Sequence, residues 1–142
     1  MKTKRRAVLK KLLTTVAGVT GTATLANAAH DAALVEATDT FENLVFISGV
    51  GAHVAPFTIE NHTEIVLKGV EASLKKAGSS MSQVLKAQVW LDDIKDFEAM
   101  NKIYRGRFGD KPPVRTTVAV AKGGVPDKSL IEIDLIAYKT AL

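Results

Sequence analysis

KPPVRTTVAVAKGGVPDKSLIEIDLIAYK, residues 111–139, holds two strand-like runs, at 116–121 and 130–138, joined by the turn-rich Lys122, Gly123, Gly124, Val125, Pro126 and Asp127. In the second run Ile131, Ile133, Leu135 and Ala137 alternate with Glu132, Asp134, Ile136 and Tyr138. Successive strand side chains point to opposite faces, so this period of two predicts a sheet with one plainly apolar face for helices to cover. Ahead of the first run, Pro112 and Pro113 fix their own φ and hold the chain extended, so Arg115 is reached with little freedom. A guanidinium held that way is a fork for the two oxygens of a carboxylate. On spacing alone the plain reading, a surface arginine at a strand start, comes first. The surrounding pattern brings carboxylate binding forward.

Working outward, a strand-like run at 43–48 ends in Gly49, Val50 and Gly51, and a short hairpin partner is expected near 33–38. Ile59, Val66, Val70, Leu74 and Ala77 follow helical spacing over 59–77, with Lys75 and Lys76 in the last turn and Gly78 as the stop. Over 84–91, Leu85, Ala87, Val89 and Leu91 share one predicted face, and Lys86, Gln88 and Trp90 the other. A second helix is predicted to open at Asp92 or Asp93 and end at Gly109, with the stripe Ile94, Phe97, Met100, Tyr104 and Phe108. The order strand, helix, strand, helix, strand, strand predicts an α+β fold, one sheet with two helices packed on one face. The opposite face mixes Trp90, Ile136 and Tyr138 with Lys86, Gln88, Glu132 and Asp134. It is too apolar for open water and too polar for a core, and it reads as an oligomer interface with a polar site at its edge.

The 142 residues suit one domain, expected over 29–142, because residues 1–28 read as a targeting segment. Lys2, Lys4, Arg5, Arg6, Lys10 and Lys11 precede an apolar run from Leu12, no acid comes before Asp31, and Ala26, Asn27 and Ala28 make a small-x-small cleavage site. Lys4, Arg5 and Arg6 followed by Ala7, Val8, Leu9 and Lys10 resemble the twin-arginine export motif. The reading is a cleaved export signal leading to the periplasm; a basic nucleic-acid tail and an organellar transit peptide are the alternatives. The run is too short and too rich in Thr and Gly for a stable membrane anchor. Beyond it the chain carries 13 basic against 15 acidic residues, so the sequence pI of 9.4 belongs to the segment and gives no reason to expect nucleic acid as a partner.

With no cysteine there is no disulfide, thiolate nucleophile or sulfur metal site. His30, His53 and His62 lack metal-ligand spacing, and no metal is expected. His62 is expected on the exposed side of the first helix. Asp92, Asp93 and Asp96 stand at a helix start, where capping outranks catalysis. Ser48 and Gly49 are not a nucleophile elbow, and the spacing of Gly49 and Gly51 is not that of a phosphate loop. Asn101, beside the helix stripe, is expected at its edge. Glu132 sits on the mixed face with Asp134, where a surface ion pair and a site role are equally good readings.

Five pieces together resemble the Rid (YjgF-type) enamine/imine deaminase family: NLVFISG, GVEASLKKAG, VLKAQVWLDDIKDFEAMNKIY, PPVRTTVAV and LIEIDLIA. They span about 43–138, and the last two are the specific ones. The resemblance implies a chorismate-mutase-like fold and a homotrimer with inward-facing sheets and a cleft at each subunit boundary. It implies that Arg115 binds a carboxylate and Glu132 orients a water. Ser48 and Asn101 would lie around the cleft, and the backbone near Thr117 would place the substrate nitrogen or the water. The implied activity is hydrolysis of a 2-imino acid or its enamine to a 2-keto acid and ammonia, with no cofactor. The chain departs from the family pattern at Val35, near the usual cleft tyrosine, at Val50 for a glutamine and at Thr117 for a cysteine. The alternative is a non-catalytic trimeric binder of small carboxylated metabolites.

Overall fold

Alternating runs in the sequence become a single five-stranded sheet in the computed structural model, which describes residues 38–140. The strands are β1 (Thr38–Phe41), β2 (Leu44–Gly51), β3 (Val84–Leu91), β4 (Val114–Ala119) and β5 (Ile131–Tyr138), and the helices are α1 (Ile59–Lys76) and α2 (Phe97–Tyr104). Strand order is β1-β2-β5-β3-β4; β3 and β4 are parallel and the other pairs antiparallel. The expected export segment, His30 and Val35 lie outside the described residues. Among the described residues no helix is long and apolar enough to cross a membrane.

The α1 N-terminus is fixed by Thr58, whose Oγ1 accepts the Asn61 N–H at 3.3 Å, a cap worth about 1 kcal/mol. Val66, Leu67, Val70 and Leu74 of α1 and Met100 and Tyr104 of α2 join Ala87, Val89, Leu91, Ile131, Ile133 and Leu135 of the sheet in one core. Both helices thus cover the same face, as the period-two pattern of β5 requires. The opposite face keeps Trp90, Glu132, Asp134 and Ile136 half-buried and Tyr138 exposed.

Several expectations need correction. The hairpin partner of β2 among the described residues is Thr38–Phe41, which shares only Thr38 with the expected 33–38, the rest of that stretch lying outside the described residues; Glu42 in the two-residue turn takes φ 53°. Leu85 is 46 % exposed, not in the core. The pairing of β3 with β5 shifts between Val84 and Lys86, so Val84 turns inward and Leu85 is left out as a bulge. The second helix is shorter than expected: a 3-10 turn, Ile94–Asp96, leads into α2, which stops at Tyr104. Asp93 caps that turn through the Lys95 N–H, whereas Asp92 reaches across to accept the Gly123 N–H.

His62 is the largest correction, being fully buried rather than exposed. Its Nδ1 accepts the Leu130 N–H at 3.1 Å, which leaves Nε2 as the protonated nitrogen, donating to the Val54 carbonyl at 3.1 Å. One neutral ring therefore ties α1 to the start of β5 and to the loop after β2. His62 stands three residues after Ile59 and four before Val66, so helical spacing admits its burial; what spacing does not show is the pair of backbone partners, one of them 68 residues away, that satisfies its ring.

Candidate functional site

Arg115 enters β4 one residue after Val114 and lies opposite Ala87, so its side chain leaves the sheet on the helix-covered face. There its guanidinium carbon sits 4.6 Å from the Tyr104 ring centroid and 5.7 Å from that of Phe97. Stacking of this kind stabilises by about 0.5–2 kcal/mol and leaves the in-plane N–H fork free for an anion. Asn101, one turn before Arg105 on α2, is 8 % exposed, so it is buried rather than at an open edge. It helps line a cleft of about 360 Å³ with Tyr104, Arg105, Pro112, Pro113 and Arg115.

Two hydroxyls near Arg115 are buried without a partner among the described residues, Tyr104 Oη and Thr117 Oγ1. Burial pushes the Tyr104 phenol up to about 12, with the Arg115 charge acting the other way, so it remains a donor. An unsatisfied buried hydroxyl costs about 1–3 kcal/mol. Of the two, Tyr104 Oη belongs to a residue that lines the cleft beside the stacked arginine, whereas Thr117 is not part of the cleft lining.

Glu132 is elsewhere. It lies opposite Gly51 on β2 and Trp90 on β3, on the mixed face with Asp134. Its carboxylate crosses over Gly49, where a Cβ would overlap Oε1, so any larger residue there would displace the Glu132 side chain from this position. The strand pairing slips between Ile47 and Val50, a bulge that carries the exposed Ser48 and Gly49 past Asp134. Burial pushes the Glu132 carboxyl above the ordinary range, the Asp134 charge adds to this, and His53 opposes it. Asp134 is itself fixed by the Trp90 indole N–H at 2.9 Å. Ser48, Asp134, Phe46 and Ile136 border a second, shallower depression of about 450 Å³ on this face.

Within one chain, then, the residues divide in two. Arg115, Asn101 and Thr117 belong to the helix side of the sheet; Glu132 and Ser48 belong to the mixed side. Sequence reasoning did not single out Arg105 or His53 as site residues, nor Tyr104 beyond its place in the apolar stripe. Arg105 carried a usable signal, as the first cation after a helix whose last turn is interrupted by glycine. His53 carried none.

The family model described as Endoribonuclease L-PSP matches residues 24–139. The chain belongs to this YjgF/RutC/Rid family. A RutC family protein of Pyrococcus horikoshii is 37 % identical over 103 residues, covering 68 % of this chain and 80 % of the relative. The chloroplastic Reactive Intermediate Deaminase A of Arabidopsis thaliana is 39 % identical over 102 residues, 67 % of this chain and 53 % of the relative. Among solved structures, a Thermotoga maritima putative endoribonuclease superposes with TM-score 0.65 at 35 % identity, over 73 % of this chain and 85 % of that one. Escherichia coli TdcF with bound serine superposes with TM-score 0.67 at 26 % identity, over 72 % and 86 %. The α+β fold read from strand and helix order is thus the YjgF-family fold. Among the described residues, no cluster of three or more His, Asp or Glu is arranged to hold a metal ion.

Proposed function

We propose that this YjgF-family chain hydrolyses reactive 2-imino acids, or their enamine tautomers, to 2-keto acids and ammonia at sites shared between copies in a homotrimer. The observation that carries the reading is the guanidinium of Arg115, stacked on Tyr104, whose hydroxyl is buried and unpartnered among the described residues, in a cleft with Asn101. Arg115 holds the substrate carboxylate. Because Glu132 and Ser48 lie on the other sheet face, they meet that carboxylate-bound substrate only when the mixed face of a second copy closes the cleft. The half-buried apolar groups Trp90 and Ile136 on that face support such an association. The names of the Arabidopsis relative and of serine-bound TdcF support an amino-acid-derived, carboxylated substrate.

In the proposed step, Glu132 accepts a proton from a water whose oxygen adds to the imine carbon and passes it to the nitrogen. The carbinolamine hydroxyl proton then moves by way of Glu132 to the amine, the carbonyl forms as the C–N bond breaks, and ammonia leaves with Glu132 ionised again. Positioning and a proton relay suffice, since an imine is already electrophilic. A nuclease is the weaker reading, because residues 29–142 carry 13 basic against 15 acidic groups. Delivery to the periplasm by the twin-arginine-like segment is part of the proposal.

Glu132→Gln tests the reading against a pure binder. The amide keeps size and one acceptor oxygen but cannot take the proton. Turnover of imine freshly made by an amino-acid oxidase is expected to fall at least tenfold, with binding of a stable 2-keto acid changed less than about threefold. Equal losses in calorimetry and in the coupled assay would reduce Glu132 to structural support.

The pH profile offers a further check. Glu132 must be ionised to accept a proton, and its pKa is raised, so the acid limb of kcat/KM is expected above the ordinary glutamate range. Asp134→Asn removes the like charge while keeping an acceptor for Trp90, so the limb should move to lower pH. His53→Ala removes an opposing charge and should move it higher. Limbs that ignore both substitutions would point to another base.

A further inference from the structure

Three arginines cluster around the end of α2, and their surroundings differ. Arg107 is engaged by Glu64, with Nη1 2.5 Å from Oε2, and draws that carboxyl below its usual range. Arg105 and Arg115 both line the 360 Å³ cleft, no carboxylate lines it with them, and neither has an ion-pair partner among the described residues.

The backbone sets this pairing. Arg105 is the C-cap of α2, its N–H closing the helix on the Asn101 carbonyl at 3.1 Å. Gly106 at φ 74° then turns the chain, Gly109 at φ 77° turns it again, and Pro112 and Pro113 return it to Arg115. A side chain would be strained at either glycine, so the short loop is built to fold back. The two cations are thus brought to one concave surface by a helix end and a strand start. Like charges facing one cleft repel, and only an anionic guest relieves both.

We infer that the cleft selects doubly anionic substrates, 2-imino dicarboxylates of about four or five carbons, with the α-carboxylate on Arg115 and the side-chain carboxylate on Arg105. The inference rests on the imine-hydrolase reading for the reaction, but its binding half stands apart from turnover. A cleft of 360 Å³ has room for a diacid of that length. Arg105 is exposed, so its contact is a rim contact, screened by salt and read mainly as substrate preference.

The test compares imines generated by oxidases from glutamate or aspartate with those from leucine or norvaline. Wild-type kcat/KM is expected to favour the acidic class about tenfold at low salt, and the preference should shrink as ionic strength rises. In Arg105→Ala the ratio of acidic to neutral should fall to about one, and in Arg105→Glu it should invert toward lysine-derived imines. A preference that survives Arg105→Ala, or a wild type that turns over neutral imines without favouring acidic ones, overturns the inference and leaves the hydrolase intact. Should no imine be turned over, the hydrolase reading fails, and calorimetry with 2-oxoglutarate against 2-oxopentanoate still decides. Tighter binding of the diacid, lost in Arg105→Ala with the fold checked by thermal melting, supports the cleft assignment; equal binding of the two overturns it.

Discussion

Arg115→Ala is expected to lower imine turnover by about 30- to 1,000-fold, the equivalent of losing about 2–4 kcal/mol of bidentate, charge-assisted contact. The fold should survive. Arg115 is half-buried at the cleft rather than in the core, and its stacking on Tyr104 and Phe97 contributes little beside the apolar cluster beneath. Arg115→Lys should recover little activity, because a point charge on a flexible stem presents no planar fork and stacks less well. The measurement is single-batch imine turnover with the oxidase-coupled assay, alongside a thermal melt and light scattering. Near-normal turnover by the alanine variant would remove Arg115 from the mechanism, and a variant that has lost its assembly would have to be replaced by Arg115→Gln.

Rescue by mixing should be of comparable size. If each site takes Arg115 from one copy and Glu132 from the next, Arg115→Ala and Glu132→Gln each inactivate every site of their own homotrimer. In co-expressed mixed trimers, a site that draws Arg115 from a Glu132→Gln copy and Glu132 from an Arg115→Ala copy is whole. With random assembly at equal amounts, about one site in four is restored, so activity should rise to about a quarter of wild type. Purified homotrimers mixed without exchange should stay inactive, as should a mixture containing the double variant in place of one partner. No rescue after verified co-assembly would overturn the shared site, leaving Arg115 and Glu132, which stand on opposite faces of one sheet, without a common substrate.

Much of this fold was legible one strand at a time. The alternation of Ile131, Ile133, Leu135 and Ala137 fixed which side of β5 is core, and every one of them is buried. Gly49 read only as a strand end, yet it is the position at which a side chain would collide with Glu132. Leu85 misled because a single inserted residue reverses the face of its neighbour, and periodicity counts residues without seeing the partner strand. His62 misled because a polar ring was expected outside although it stands three residues after Ile59 and four before Val66; the Leu130 N–H and the Val54 carbonyl satisfy the ring and permit its burial.

For the candidate site, sequence supplied the chemistry and structure supplied the sides. That Arg115 stands extended after two prolines, and that Glu132 sits among apolar alternating neighbours, are local facts, set by backbone stereochemistry and a period of two. That they emerge on opposite faces of one sheet follows from pairing Ala87 with Arg115 and Trp90 with Glu132, which no local rule dictates. Likewise, Arg105 and Arg115 are ten residues apart in sequence, and only the folding back of the loop at Gly106 and Gly109 puts them on one cleft. The sequence determined most of the elements, the apolar face and the candidate site side chains, because those depend on neighbours within a few residues. Tertiary structure decided which of them share a surface, because strand register and loop closure are settled by burial of the whole core.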